Sequence, residues 1–546
     1  MHENRMPPAV KLRFLWASLL WIVIQLPFAP GAFRIDEPYH LKAAEHLQTN
    51  PADPYGFYIN WNGTPEWAFR TYASPPLVPE WLALWSRILP WNELSLHVAM
   101  LPFSVVALLA FGLLADSYGL DGRVAMALLA CSPAFFLTSQ VVMPDIAMLC
   151  LFLVAVTGAR LYQRNGRMEA LLVAGFAAFS CPLAKYNGVV IVPVLICFAL
   201  ARPRRTVMIG IVIAPILSLI LFGGFTWFRY GAVHFIAMSA YQRSGEMSTH
   251  PAVITVGVFA TGIGVLPLAL SLFLVRVPKQ PRLILALDTV SLISSIWLGL
   301  QLGYPTISIF LFAASIGFST HVLCLALQQG WKTLRGFDWG CLALPVWFLA
   351  GFVFQYGVMF TATRYVLFLA PPAILLGMRS ATQKPRRAVL GLALAANLLV
   401  TISIAAGDLF AANIYRTFAG NELKALRQRQ NRVFFTGHWG FQYYAERAGG
   451  ELIDKRKSPR FQPGDSVVIA KTPWPTLLQP LETAGLEFEH RSLFMNQSWP
   501  VRTLSCKAGI FFHGNAISGC VRPTLLPFGF SSEPWEEFLV YQTRRP

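Results

Sequence analysis

The chain is built from long apolar runs separated by short polar segments. The first run covers residues 12–33, and others begin near Leu96, Val124, Ile146, Met168, Gly188, Thr206, Ala252, Leu283, Pro305, Gly340, Tyr365 and Ala388. A helix needs about 20 mostly apolar residues to cross the hydrocarbon core of a bilayer, so the pattern predicts about thirteen transmembrane helices, several of them short. The division within residues 181–200 is the least sharp. Arg5, Lys11 and Arg13 precede or open the first run as they would in a signal peptide, but no small-residue cleavage site follows, and the run reads as an anchor. From Asp408 onward the texture changes. Strand-like runs at 432–435, 466–470 and 486–493 are punctuated by Gly and Pro, as at Pro463-Gly464. The expected architecture is therefore an all-α polytopic membrane domain over residues 1–407, including a long loop at 34–95. A soluble α/β or α+β domain over residues 408–546, roughly 135 residues and long enough to hold its own core, follows it. No internal repeat is evident.

Composition strengthens this picture. Of the 546 residues, 55% are hydrophobic and only 13% are charged, about half the charged share of an ordinary soluble domain. The net charge of +17 would suggest nucleic acid on a soluble protein. Here the basic residues fall mostly in short loops, so the charge is topological and no nucleic-acid partner is expected. With the N-terminus in the cytoplasm, the segments 1–11, 117–123, 163–167, 202–205, 276–282, 328–338 and 379–387 share one side. They carry the basic clusters, including Arg202, Arg204 and Arg205; Arg276, Lys279 and Arg282; and Arg379, Lys384, Arg386 and Arg387. The short loops opposite carry single cations such as Lys185 and Arg364. Residues 34–95, 228–251 and the tail then face outward. Six cysteines lie in or beside apolar runs, while Cys506 and Cys520 stand in the polar tail, where an oxidising compartment would let them pair. Asn62-Gly63-Thr64 and Asn496-Gln497-Ser498 are glycosylation sequons that matter only in a eukaryote.

The outward side also collects ionisable residues at helix ends. The first loop opens Arg34-Ile35-Asp36-Glu37-Pro38-Tyr39-His40, Asp145 follows Met143-Pro144, Lys185 precedes Tyr186, and Arg364 precedes Tyr365. Charges near a bilayer are costly and are functional candidates by default. The simpler readings are a helix cap for Asp36 and charge pairing among helix ends for Lys185 and Arg364. The loop continues through Tyr55-Gly56-Phe57-Tyr58 to Ser74-Pro75-Pro76-Leu77 and the amphipathic stretch 80–85, suited to a helix in the interface plane. Tyr241, Arg243 and His250 of the second outward loop share this face and are placed either to cover the site or merely to connect two spans. The run 437–444, Gly-His-Trp-Gly-Phe-Gln-Tyr-Tyr, is unusually aromatic and has no assigned role.

In order and topology these features resemble the GT-C superfamily of integral membrane glycosyltransferases, in the branch of protein O-mannosyltransferases and lipid A aminoarabinose transferases. The matching positions are Asp36-Glu37 at the start of the first outward loop, Pro75-Pro76-Leu77, Pro144-Asp145, Lys185 and Arg364-Tyr365. The likeness covers the membrane domain. Ser74 departs from the family's usual His or Lys before Pro-Pro-Leu.

The resemblance implies an enzyme that moves a sugar from a polyprenyl-phosphate-linked donor to a hydroxyl on a lipid, glycan or protein acceptor. It would work at the outer face of a bacterial inner membrane and invert the anomeric centre. Asp36 is then the general base, with Glu37 and Asp145 orienting acceptor, sugar or cation. Lys185 and Arg364 meet the phosphate, and Tyr186, Tyr365, His40, Tyr58, Pro75 and Pro76 complete the substrate contacts. Carboxylates and histidines nearby are compatible with a divalent metal, but no ligand set of defined spacing points to one. A lipid-linked-sugar flippase or transporter is the alternative. It would favour paired halves and midplane charges, whereas these charges sit at one interface. A scaffold would have no reason to collect them there.

Overall fold

The computed structural model describes residues 8–201, 205–244, 250–275, 282–358, 360–429, 432–457, 461–473, 485–495, 499–514, 520 and 522–543. Helix α1 (Pro8–Gln25) leads into a folded first loop. It contains α2 (Glu37–Thr49), a hairpin of β1 (Tyr58–Asn60) and β2 (Pro65–Trp67), α3 (Ala68–Thr71) and α4 (Leu77–Trp85). Next come α5 (Glu93–Ser117), α6 (Gly122–Ala130), α7 (Pro133–Thr138), α8 (Pro144–Asn165), α9 (Met168–Ala184), α10 (Ile191–Leu200) and α11 (Arg205–Tyr230). Helix α12 (His234–Ser244) lies in the loop after α11. It is followed by α13 (Pro251–Ala260), α14 (Gly262–Val265), α15 (Ser271–Leu274), α16 (Arg282–Gln301), α17 (Thr306–Arg335), α18 (Trp339–Phe354), α19 (Thr363–Val366), α20 (Ala370–Ser380) and α21 (Arg387–Phe418).

Among the described residues seven helical segments, on α5, α8, α11, α16, α17, α18 with the turn that extends it to Gly357, and α21, are each long and apolar enough to cross a membrane. The chain is an integral membrane protein. The other expected spans fall on shorter or broken helices, and the breaks have identifiable causes. The run beginning near Val124 stops at Cys131 because Ser132 caps a new helix, accepting from the Phe135 N–H at 3.4 Å, and Pro133 brings no N–H of its own. Backbone groups freed inside an apolar bundle need internal partners. Asn397 of α21 supplies them: its Nδ2 donates to the Cys131 carbonyl at 2.8 Å and its Oδ1 accepts from the Ala269 N–H at 3.1 Å. Thr401 donates to the same Cys131 carbonyl. Asn397→Leu should leave the Ala269 N–H orphaned and cost roughly 1–3 kcal/mol. Thermal unfolding of the purified protein in micelles checks this, and an unchanged midpoint would show that another group satisfies the break.

Helix α21 does not stop at residue 407. It runs on to Phe418, through a π-helical turn (Ala419–Leu423) and into α22 (Lys424–Arg429). Asp408 is buried within it, so its charge marks a pairing site rather than an exit into water. The strand-bearing region begins at β3 (Val433–Thr436) and continues with α23 (Trp439–Arg447), β4 (Glu451–Leu452), β5 (Ser466–Ala470) and β6 (Leu486–Phe494). The short β7 (Val501–Arg502), β8 (Leu504–Ser505), β9 (Ile510–Phe511) and β10 (Gly529–Phe530) precede the last strand, β11 (Glu536–Thr543). The main sheet runs β4-β3-β5-β11-β6, with β3 parallel to both neighbours and β11 antiparallel to β5 and β6. The expected mixed α/β or α+β tail is thus present. Phe418 at the end of α21 stacks on Phe538 at 3.7 Å, and Phe441 of α23 packs against both. The last membrane helix therefore shares a core with the sheet. Cys506 and Cys520 are disulfide-bonded.

Glu536 is buried beside this junction. Its carboxyl meets the Tyr415 hydroxyl at 2.8 Å and the Thr472 N–H at 3.1 Å. Burial outweighs these bonds and pushes its pKa up to about 7. A raised folded-state pKa gives stability that is complete below the unfolded value of 4.5 and is lost as pH rises through 7. Melting temperature should fall across that window by an amount corresponding to about 3 kcal/mol, and Glu536→Gln should flatten the dependence.

Candidate active site

The site begins at the turn into α2. Ile35 adopts a left-handed backbone (φ 44°), a costly conformation for a β-branched residue. The turn separates the two acids that follow it. Glu37 is fully buried and acts as a knot. Its Oε1 accepts from the Val142 N–H at 2.6 Å and from His97 Nε2 at 2.9 Å, and its Oε2 accepts from the Arg34 N–H at 2.6 Å. Val142 lies three residues before Asp145, so this knot fixes the α2 turn against the start of α8. Glu37 does not line the cavity described below.

Asp36 does. Its Oδ2 accepts from Arg364 Nη2 at 2.5 Å. Arg364 also places Nε 4.0 Å from Asp145 Oδ2, and Lys185 Nζ donates to Asp145 Oδ1 at 2.5 Å. Two carboxylates and two cations from four distant segments thus form one chain: Asp36, Arg364, Asp145, Lys185. The Asp36 side chain is 30% exposed and that of Lys185 14%, whereas those of Arg364 and Asp145 are 5% and 1%. The outer members face the cavity and the inner pair is desolvated. Lys185 also lies over the Tyr365 ring, 3.9 Å from its centroid, a contact that steadies a cation without neutralising it.

These groups share a cavity of about 520 Å³, a volume typical of a small-molecule site. His40, Tyr186 and Tyr365 line it as well. The His40 imidazole meets the Tyr72 hydroxyl at 2.6 Å. Burial, helped by the nearby Arg364 and Lys185 charges, pushes it down to about 3, so it is a neutral polar contact. Tyr186 bonds His234 of α12 at 2.5 Å. Phe235, Met238 and Tyr241 of α12 form part of the wall, while His250 caps α13 instead. The side chain of Arg243 and the second sequon, Asn496–Ser498, lie outside the described residues.

Three expected contacts are elsewhere. Tyr58 lies at the edge of its hairpin, 69% exposed, and does not line the cavity. Strand alternation turns Ile59 inward instead. Pro75 and Pro76 precede α4 and set its start; their neighbour Ser74 lines the cavity. Conversely, the cavity includes Tyr39, Trp61 and Asn62 of the first loop and His438, Trp439, Phe511 and His513 of the C-terminal region, none of which was expected as a site residue. His513 links the region to the charged chain. Its carbonyl accepts from Arg364 Nη1 at 3.4 Å, and its Nε2 meets Asp408 at 3.2 Å. Asp408 in turn accepts from Arg34 at 2.5 Å and from Thr503 at 2.9 Å. Among the described residues no group of three or more His, Cys, Asp and Glu is arranged to hold a metal ion.

No protein-family model matches the chain, and no curated protein matches it. Among solved structures it is similar to ArnT from Cupriavidus metallidurans bound to undecaprenyl phosphate, with 10% identity over 85% of this chain and 93% of that one and a TM-score of 0.47. It is similar to the same protein in the apo state at 11% identity, with the same coverage and TM-score.

Proposed function

We propose that this protein is a membrane glycosyltransferase that moves a sugar from a polyprenyl-phosphate-linked donor to an acceptor hydroxyl at the outer face of the membrane. The observation that carries this reading is the charged chain Asp36–Arg364–Asp145–Lys185 on the wall of one sizeable cavity. A lipid-borne phosphate needs cations at a helix end, and a sugar acceptor needs a carboxylate within reach of them. The positive-inside pattern supports an outward position for these helix ends, and the Cys506–Cys520 disulfide favours an oxidising side for the tail.

The chemistry follows from the residues. The acceptor oxygen attacks the anomeric carbon, and the bond from that carbon to the phosphate oxygen breaks. The acceptor proton passes to the Asp36 carboxylate. The leaving lipid phosphate gains one negative charge, which Lys185 and Arg364 stabilise. Before the donor arrives, Arg364 is held by Asp36. A phosphate draws the guanidinium away and leaves the carboxylate free to accept a proton, so donor binding switches on the base. Asp145 holds both cations in place. Glu37 is a positioning residue that keeps Asp36 against the start of α8.

A panel of undecaprenyl-phosphate-linked sugars incubated with the purified protein tests the proposal. One member should be consumed with release of undecaprenyl phosphate. Survival of every member, with lipid, glycan and peptide acceptors all supplied, would overturn it.

A further inference from the structure

The turn Gly437-His438-Trp439 leaves β3 and opens α23, and the transfer chemistry does not use it. Gly437 and Trp439 both have positive φ, 116° and 57°. Trp439 stacks on Phe511, with ring centroids 5.6 Å apart and planes 23° apart, and both line the cavity. Trp61 stands 5.9 Å from the His438 ring and 5.0 Å from Tyr39, again on the cavity wall. The C-terminal region and the first loop thus build one aromatic surface beside Asp36.

His438 is the polar group in that surface. It is 1% exposed. Its Nδ1 lies 2.9 Å from Gln442 Oε1, while Gln442 Nε2 donates to the Asn60 carbonyl and to Glu446. The amide oxygen therefore faces the imidazole, and Nδ1 carries the proton. Nε2 is left with a lone pair and has no hydrogen-bond partner among the described residues. Burial, against the opposing Gln442 bond, pushes the imidazole down to about 4, which keeps it neutral. An orphaned buried acceptor is costly unless a ligand completes it.

We infer that Trp61, Trp439 and Phe511, together with His438 Nε2, form a subsite for a pyranose ring, the C–H face stacking on the aromatic surface and one ring hydroxyl donating to Nε2. A sugar combines an apolar face with a rim of hydroxyl donors, and this wall offers the complement of both. The inference rests on the sugar-transfer reading and deepens it. It assigns recognition of the ring to the C-terminal region together with the first loop, and recognition of the phosphate to the membrane helices.

The test uses the full chain in nanodiscs, with binding read by tryptophan fluorescence and by competition. The probes are undecaprenyl phosphate, its glucosyl, mannosyl, galactosyl and aminoarabinosyl forms, and the methyl glycosides of the same sugars. His438→Phe keeps the ring and removes the acceptor nitrogen. Trp439→Asn removes the indole while tolerating the left-handed backbone. Each should weaken at least one glycosylated probe by about tenfold and leave undecaprenyl phosphate unchanged. A loss confined to the lipid-linked probes places the donor sugar here, and a loss confined to methyl glycosides places the acceptor. Unchanged affinity for every glycosylated probe in both variants, each confirmed folded by its melting temperature, overturns the subsite. So does failure of every such probe to bind the unaltered protein. Lys185→Met separates the two readings. If it leaves undecaprenyl phosphate binding intact while His438→Phe weakens methyl glycosides, the phosphate site is wrong and the sugar subsite stands.

Discussion

Asp36→Asn is expected to lower the turnover number for sugar transfer by about 10²–10⁴-fold, the usual worth of a general base. The substitution is nearly isosteric. The amide oxygen can still accept from Arg364, whose Nη2 lies 2.5 Å from Asp36 Oδ2, so folding and membrane insertion should be unchanged. Donor affinity should hold or rise, because Asn competes with the phosphate for Arg364 less strongly than a carboxylate does. That split, a collapsed turnover number with donor binding retained, distinguishes a proton acceptor from a structural partner. Normal turnover by the variant would remove Asp36 from the mechanism.

Lys185→Met should cost about 10²–10³-fold in turnover, the scale seen when one group stabilising a developing oxyanion is lost. It should also weaken sugar-free undecaprenyl phosphate. A second consequence follows from burial. Asp145 is 1% exposed and loses its 2.5 Å partner, keeping Arg364 at 4.0 Å, so the variant should be less stable. Adding Asp145→Asn should recover the melting temperature without recovering turnover. Recovery of both would mean that Lys185 serves only to neutralise Asp145.

The membrane helices, the paired acids and cations and the strand-bearing tail were legible because lipid makes composition informative. Charges are rare there, and those that remain at helix ends stand out. Roles were harder to read. Asp36 and Glu37 are adjacent, yet one faces the cavity and the other ties Val142, His97 and Arg34. Successive residues at a helix start point in different directions, and only the distant partner decides which is buried. Tyr58 carries the same aromatic signal as its neighbours, but hairpin register turns it to the outside. His438, Trp439, Phe511 and His513 reach the site through long-range packing of the sheet and of β9 against the bundle, which leaves no local trace. The aromatic run at 437–444 was the one visible hint. The length of the last apolar helix was hidden for a similar reason, since α21 runs past residue 407 to Phe418. Asp408 looks like the beginning of a soluble segment, but it is buried in α21 and paired with Arg34 and His513.

The decisive measurement is an experimental structure of the protein in nanodiscs with undecaprenyl phosphate. The phosphate is expected in the cavity, with Lys185 Nζ and the Arg364 guanidinium at charge-assisted hydrogen-bond distance, about 2.7–2.9 Å, and with Arg364 drawn off Asp36. A lipid phosphate bound elsewhere, with the contact between Asp36 and Arg364 intact, would contradict the account.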